Sequence, residues 1–394
     1  MNDNIQISDR IESPCYVVYE DRLRANLDLI TTVAREAGVK IIMAFKANAL
    51  WRTFPIFREY GVECTASSLN ELQLGREELG VRVHSYCPAY TPQTIGRYLD
   101  GSSHITFNSL SQWERFKANL RNYNDLHPEA PVSPGLRVNP RCSVVETDIY
   151  NPALPGSRFG VTAEQLGDKL PEGIEGLHFH ALCESSSHDL ARVLEAFEEQ
   201  FGHLLPQVKW VNMGGGHLMT RKGYDTGHLI ALLREFRSRY PWLQVILEPG
   251  SAFTWRTGDL LATVVDIVEN QGIKTAILDV SFACHMPDCL EMPYKPTVSE
   301  ALPDGENAGE GKPIYTYRFG GNSCLSGDFM GDWHFSHPLA IGDRLTFEDM
   351  NHYTTVKTNM FNGIQHPSMA LVRSDNTIDM LRCFSYEDYK SRMS

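Results

Sequence analysis

IIMAFKANAL, residues 41–50, runs five apolar residues straight into Lys46 and then Ala47 and Asn48. An apolar, partly β-branched run of that length reads as a buried strand, and ending it on an amine admits two readings. In one, the strand surfaces and the ammonium simply meets water. In the other, the amine stands in a pocket at the C-terminal end of the strand and acts as a nucleophile, because a partly desolvated lysine deprotonates readily. The choice depends on what else ends where Lys46 ends.

Seven more segments of this kind follow: GVECTA from 61, RVHSYC from 82, HITFN from 104, PGLRVN from 134, EGLHFHAL from 175, KWVNMGGG from 209 and QVILEPG from 244. Helical periodicity fills the intervals. DRLRANLDLITTVAREAG places Leu23, Leu27, Ile30 and Ala34 on one face and stops at Gly38. The pairs Ser68 with Glu71, Ser111 with Glu114 and Thr162 with Gln165 have capping-box spacing and mark strand-to-helix transitions. Eight βα units in about 240 residues predict a TIM (β/α)8 barrel, whose chemistry sits at the C-terminal ends of its strands. The ends predicted for that rim are Lys46, Glu63 with Ser67, Asn108, Arg137 with Asn139, His180, Gly214 to Gly216, and Glu248.

After about residue 262 the pattern changes to short alternating strands such as KTAILDVSF, PIYTYRFGG and DRLTFEDM between Gly, Pro and Asp turns. The expected organisation is α/β: a barrel over 20–262 and a mostly β domain over 263–394, to which the early strand PCYVVY in residues 1–19 also belongs. A net charge of −13 over 394 residues argues against nucleic acid as a partner. No apolar run is long enough to span a membrane, and the first twenty residues lack the basic-then-apolar order of an export signal. Nine scattered cysteines without a CxxC pair predict reduced thiols and no zinc site. A cytoplasmic protein is the expectation.

NMGGGH, 212–217, follows the seventh strand, where TIM barrels often hold a phosphate on backbone N–H groups; a tight turn needing positive φ is the plainer alternative. In LEPG, 247–250, Glu248 is placed either to keep a heterocyclic nitrogen protonated or to serve as an ion-pair partner or cap. HFHAL sets two histidines two residues apart, a metal-like spacing, but no Asp or Cys set converges with them; His180 is read instead as a ring lying on another ring. A lysine, a glycine cradle, a carboxylate and an aromatic stacker together describe a site for pyridoxal 5′-phosphate.

At these positions the sequence resembles the alanine-racemase-fold decarboxylases, the group that holds ornithine, arginine and diaminopimelate decarboxylases. HFHALCES, DVSFACHMPDCLEMPY and GGNSCLSGD are most similar to the carboxynorspermidine and carboxyspermidine decarboxylases of polyamine biosynthesis. The resemblance implies Lys46 as the cofactor lysine, His180 as the ring stacker, Glu248 as partner of the pyridine nitrogen, and Gly214, Gly215 and Gly216, with Tyr353, as phosphate contacts; Arg137, a strand-end cation, is also expected among the cofactor contacts. It also implies a homodimer in which Cys324, as the acid that protonates the product carbon, and Asp328 reach the partner's site. Asp288 and Asp328, then Glu291 and Asp332, are the acids expected near a cationic substrate tail. Two positions depart from the pattern: Ser251 stands where many relatives carry arginine, and Cys183 where many carry serine. Diaminopimelate or another basic amino acid is the alternative substrate. A racemase and a non-catalytic cofactor-binding protein are the alternative classes; Glu248 argues against the first, and Lys46 with Cys324 against the second.

Overall fold

The computed structural model describes residues 10–145, 148–305 and 313–394. The chain divides into two units, Asn26–Phe253 and the combination of Met1–Ala25 with Thr254–Ser394. The second unit resumes before the expected residue 263, because Gly258–Asn270 is a single 13-residue strand of its sheet.

In Asn26–Phe253 all eight expected strands form, in chain order and all parallel. They are Lys40–Ile41 continuing as Met43–Ala44, Cys64–Ala66, Val83–Tyr86, Ser102–Phe107, Ser133–Arg137, Gly176–His178, Trp210–Asn212 and Gln244–Leu247. The first run closes the barrel. The Ile42 N–H donates to the Leu247 carbonyl at 2.9 Å on one side, and the Met43 N–H donates to the Glu63 carbonyl at 2.9 Å on the other.

The outer helices follow the sequence pattern with local corrections. Glu20–Ala37 buries Leu23, Leu27, Ile30, Val33 and Ala37. Its apolar stripe therefore drifts past Ala34, which is half-buried, as a 3.6-residue period requires over five turns. Gly38 ends the helix at φ +68, where the Val39 N–H donates back to the Ala34 carbonyl at 3.0 Å. Ser68 caps Leu69–Leu74 as expected, accepting from the Glu71 N–H at 3.2 Å. Ser111 does not cap. The strand ends at Phe107, so Ser109 is the last extended residue and accepts from the Gln112 N–H at 3.2 Å. Gln165 accepts from the Thr162 N–H at 3.1 Å, as the capping box predicts.

The N-terminal end of the barrel is plugged by side chains. Trp210 lies across Gly135 and Gly176, where a methyl group would come within 2.2 Å and 2.0 Å of its ring. His104 meets Trp210 edge-on at 5.3 Å, and His84 stacks on His104 at 4.0 Å. Glu63 joins this end: it precedes its strand, pairs with Lys40 at 2.7 Å and stands 3.6 Å from His84. It is therefore at the opposite end from Lys46, contrary to its predicted place on the catalytic rim.

The other unit is an eight-stranded sheet. Cys15–Tyr19 pairs antiparallel with Gly258–Asn270 and parallel with Ser368–Val372, so the early strand does join the β unit. Phe319, Phe335, Phe347 and Trp333 form its core with Leu278 and Phe282. Four short helices, Phe282–His285, Pro287–Glu291, Thr354–Lys357 and Tyr386–Met393, interrupt what the sequence reads as strands and turns. Among the described residues no helix is long and apolar enough to cross a membrane.

Candidate active site

The C-terminal rim of the barrel brings Lys46, Arg137, His180, the three glycines and Glu248 together, as their strand-end positions predict. Lys46 follows the closing strand, and the EPG turn packs directly on it. The Ala44 N–H donates to the Pro249 carbonyl at 3.1 Å, and a methyl group at Gly250 would fall 2.4 Å from the Ala47 side chain. The surrounding wall lowers the pKa of the Lys46 ammonium by desolvation; Glu248 opposes the fall and Arg137 adds to it. The side chain remains open to water at the mouth, so solvent softens that shift.

Glu248 is held at both of its oxygens. Asn212 Nδ2 donates to its Oε2 at 3.0 Å, and His178 Nε2 lies 3.2 Å from its Oε1. Burial pushes the Glu248 pKa up, but His178, Asn212 and Lys46 together outweigh burial and bring it to about 2. His178 is itself pushed down by burial, helped by Arg137 and Lys46 and opposed by Glu248. The arrangement is therefore a neutral imidazole beside a carboxylate that stays ionised.

The glycine segment is tied to both functional neighbours. Asn212 Oδ1 accepts from the Gly214 N–H at 2.9 Å, and His180 Nδ1 accepts from the Gly215 N–H at 2.9 Å. An accepting Nδ1 fixes His180 as the neutral Nε2–H tautomer, consistent with burial holding its pKa well below that of a free imidazole. Close packing explains why all three residues are glycine. A methyl group would meet the Phe179 carbonyl at 2.5 Å from Gly214, the Glu248 carbonyl at 2.6 Å from Gly215, and the Leu182 carbonyl at 2.4 Å from Gly216. Gly214 and Gly216 also have φ of +72 and +89, so the turn reading holds, while the N–H groups of Gly214 and Gly215 are taken by Asn212 and His180. His217 Nε2 lies 3.1 Å from the Gly214 carbonyl and secures the end of the segment.

Arg137 is buried with its guanidinium between the rings of Tyr86, 4.7 Å away, and Phe159, 4.4 Å away. Its Nη2 donates to the His180 carbonyl at 3.3 Å. Asn108 and Asn139 serve the loop above it: Asn108 Oδ1 accepts from Tyr86 Oη and from the Gly160 N–H, and Asn139 Nδ2 donates to the Phe159 carbonyl. Four participants were not assigned to the site from sequence: His178, Asn212, Tyr86 and Glu71. Glu71, read only as a helix cap, is half-buried and accepts from the Ser67 N–H at 2.6 Å. Its charge supports the protonated form of Lys46. Asn212 was visible as the first residue of NMGGGH, and His178 as the first histidine of HFH.

The acids expected to meet a substrate tail all have internal work in the β unit. Asp328 is buried; it accepts from the Ala283 N–H at 3.0 Å, the Ser323 N–H at 3.2 Å and Ser323 Oγ at 2.6 Å. It underpins the loop whose exposed tip carries Cys324 and Leu325, where the Cys324 N–H donates to Asn362 Oδ1 at 3.0 Å. Asp288, also buried, accepts from Tyr294 Oη at 2.9 Å and Thr354 Oγ1 at 3.1 Å. Glu291 pairs with Lys357, and Asp332 with Arg318. Asp288 and Asp328 thus act as anchors inside their own unit. Tyr353 has φ +51, a strained position for a residue with a side chain.

Residues 15–351 match the family model described as pyridoxal-dependent decarboxylase, C-terminal sheet domain. The chain is 46% identical over 384 residues to a carboxyaminopropylagmatine decarboxylase of Synechocystis, covering 97% of this chain and 96% of that one. It is 42% identical over 389 residues to a carboxynorspermidine/carboxyspermidine decarboxylase of Campylobacter jejuni, covering 98% and 99%. The crystal structure of carboxynorspermidine decarboxylase from Campylobacter jejuni, complexed with norspermidine, superposes with a TM-score of 0.87 at 40% identity, over 97% of this chain and all of that one. With the barrel rim, the sheet unit and near full-length identity in agreement, the chain belongs to the pyridoxal-dependent decarboxylases.

Proposed function

We propose that this protein uses pyridoxal 5′-phosphate to decarboxylate an α-amino acid whose side chain is a cationic polyamine, the carboxynorspermidine and carboxyspermidine class. The observation that carries the reading is the placement of Lys46, His180 and ionised Glu248 on one rim, in a chain 42% identical over nearly its whole length to an enzyme named for those substrates. A second reading has a specific observation behind it: the Synechocystis relative, at 46%, is named for carboxyaminopropylagmatine.

The rim residues fit the cofactor. Lys46 would supply the amine and the ionised Glu248 the partner of a ring nitrogen, and Gly214 to Gly216 are packed so closely on the Phe179, Glu248 and Leu182 carbonyls that any side chain would displace the segment proposed to meet the phosphate. Arg137 brings a fixed cation to the same rim, and Tyr353 is the phosphate contact implied by the family pattern. When bound, pyridoxal 5′-phosphate supplies a protonated ring that accepts the electron pair left as the carbon–carboxylate bond breaks. Glu248 keeps the proton on the ring nitrogen. His180, neutral and oriented by the Gly215 N–H, would lie against the ring without competing for that proton. Lys46, its pKa lowered, is the amine that would hold the cofactor and take up a proton when the substrate amine replaces it. A proton then replaces the departed carbon dioxide, and the exposed thiol of Cys324 of the partner subunit is its source in a homodimer with shared sites.

Two assays test this. The loaded protein is given carboxynorspermidine, carboxyspermidine, carboxyaminopropylagmatine, diaminopimelate and ornithine, and carbon dioxide is measured. Release from a polyamine-tailed substrate is expected, and release from diaminopimelate alone overturns the substrate class. For the dimer, Lys46→Ala and Cys324→Ala subunits, each inactive, are mixed. Random exchange should restore about a quarter of parental activity, whereas no recovery in exchanged dimers refutes sharing.

A further inference from the structure

His178 takes no part in the chemistry above, yet it stands behind the group that does most to shape it. It ends the strand Gly176–His178 and is 1% exposed. Its Nε2 is 3.2 Å from Glu248 Oε1, with the N–H off the straight line. Among the described residues neither ring nitrogen makes a well-aligned hydrogen bond elsewhere. Tyr86 meets the imidazole edge-on at 5.4 Å. A neutral imidazole carries a hydrogen on one nitrogen, and burying that N–H without an acceptor is costly. Nε2 is the nitrogen that faces an acceptor, so the network favours the Nε2–H tautomer.

We propose that His178 is a positioning residue for the decarboxylation: its Nε2–H holds one oxygen of Glu248 while Asn212 holds the other, fixing the carboxylate as the anionic partner of a protonated ring nitrogen. The inference rests on the reading that this rim holds pyridoxal 5′-phosphate. One donor per oxygen sets the plane of the carboxylate and stabilises its charged form. A weakly basic carboxylate leaves the proton on the nitrogen it faces, which is the state in which the ring draws electrons most strongly. The groups acting on His178 are Glu248, Arg137 and Lys46, and burial, with Arg137 and Lys46, keeps it neutral. It therefore donates without giving up its proton. The i, i+2 spacing of HFH places His178 deeper than His180 along the same side of the chain, one histidine behind the carboxylate and the other at the mouth.

The test compares His178→Leu, which removes the donor at similar volume, with His178→Gln, whose amide N–H has about the reach of Nε2. Both are measured as loaded enzyme and as cofactor-free protein. For His178→Leu, kcat should fall by about 10- to 100-fold with KM changed less than about threefold. The pH midpoint of the bound cofactor's visible absorption should move by about one unit, because the ring nitrogen loses its fixed anion. His178→Gln should restore most of kcat and return the midpoint. Parental kcat and midpoint in His178→Leu overturn the proposal. So does a loss in both variants with the absorption midpoint unmoved, which marks His178 as mere packing. If His178→Leu does not fold, His178→Asn, whose shorter amide cannot reach Glu248, takes its place beside His178→Gln: a shifted midpoint in His178→Asn alone supports the proposal, and a parental midpoint in both overturns it. Failure of the parent protein itself to bind pyridoxal 5′-phosphate would instead defeat the functional reading, and this inference with it.

Discussion

Replacing Gly215 with alanine isolates the glycine cradle from its general role as a turn, because Gly215 does not need the positive φ of Gly214 and Gly216. The new methyl carbon would stand 2.6 Å from the Glu248 carbonyl oxygen. An ordinary contact of that kind is about 3.3 Å, so the glycine segment and the Glu248 turn must part by about 0.7 Å. The Glu248 N–H to Gly214 carbonyl bond, 2.8 Å, spans the same gap and must lengthen or rotate. Overpacking of this size costs about 1–3 kcal/mol of stability. The larger loss is functional: a displacement approaching 1 Å at a reacting centre costs up to about 100-fold. Titration of the cofactor-free variant with pyridoxal 5′-phosphate, followed by absorbance, should show affinity weakened by about tenfold or more. Thermal unfolding should show a drop of only a few degrees. Gly96→Ala is the matched control. No atom lies within 4 Å of its added carbon, and inside the helix Ile95–Gly101 alanine should stabilise by up to about 1 kcal/mol. A Gly215→Ala protein that binds the cofactor as tightly as the parent would refute the cradle.

Three further outcomes follow from other parts of the barrel. Glu71→Gln removes a charge that favours the Lys46 ammonium, so the pH midpoint for chemical labelling of Lys46 should fall, and a rise contradicts the placement. Glu248 has a folded-state pKa of about 2 against an ordinary 4.5. Its contribution is therefore complete above about pH 4.5 and lost as the pH falls through about 2, and the stability gap between parent and Glu248→Gln should narrow across that window in denaturant titrations. Trp210→Ala empties the space left by Gly135 and Gly176 and should cost about 3–5 kcal/mol in urea unfolding, while a loss under about 1 kcal/mol would mean the plug is not a packed core.

The eight strands were legible because each is a short apolar or β-branched run bounded by polar residues, and the rim followed from taking their C-terminal ends together. Where the strands are only three residues long, that procedure loses its footing. Glu63 looks like a strand-end acid, but Cys64–Ala66 begins after it, and only the pairing of Met43 with Cys64 reveals that it faces Lys40. Asp288 and Asp328 read as loop acids because their partners are set by tertiary structure: Thr354 lies 66 residues from Asp288, and Ala283 lies 45 from Asp328. Local sequence cannot show such burial. His178 was noticed for the wrong reason, as metal-like spacing, because its real neighbour on Glu248 comes from a strand 70 residues away.

The seam of the barrel carries a consequence for how the protein is made. Lys40–Ile41 waits for Gln244–Leu247, about two hundred residues later in synthesis, and the amine and the anion of the site sit just past these two strands. Contacts of such long range form late. A nascent chain therefore displays Lys46 well before it can surround it, and the reactive environment arises in the same event that joins the last strand to the first. Likewise Cys15–Tyr19 cannot find both its neighbours until Ser368–Val372 has emerged. Truncation near the C-terminus should leave the barrel's own closure chemically possible while stranding the first strand of the chain, so ribosome-released fragments ending before residue 368 should expose Cys15 to thiol reagents that the full-length protein, where it is wholly buried, resists.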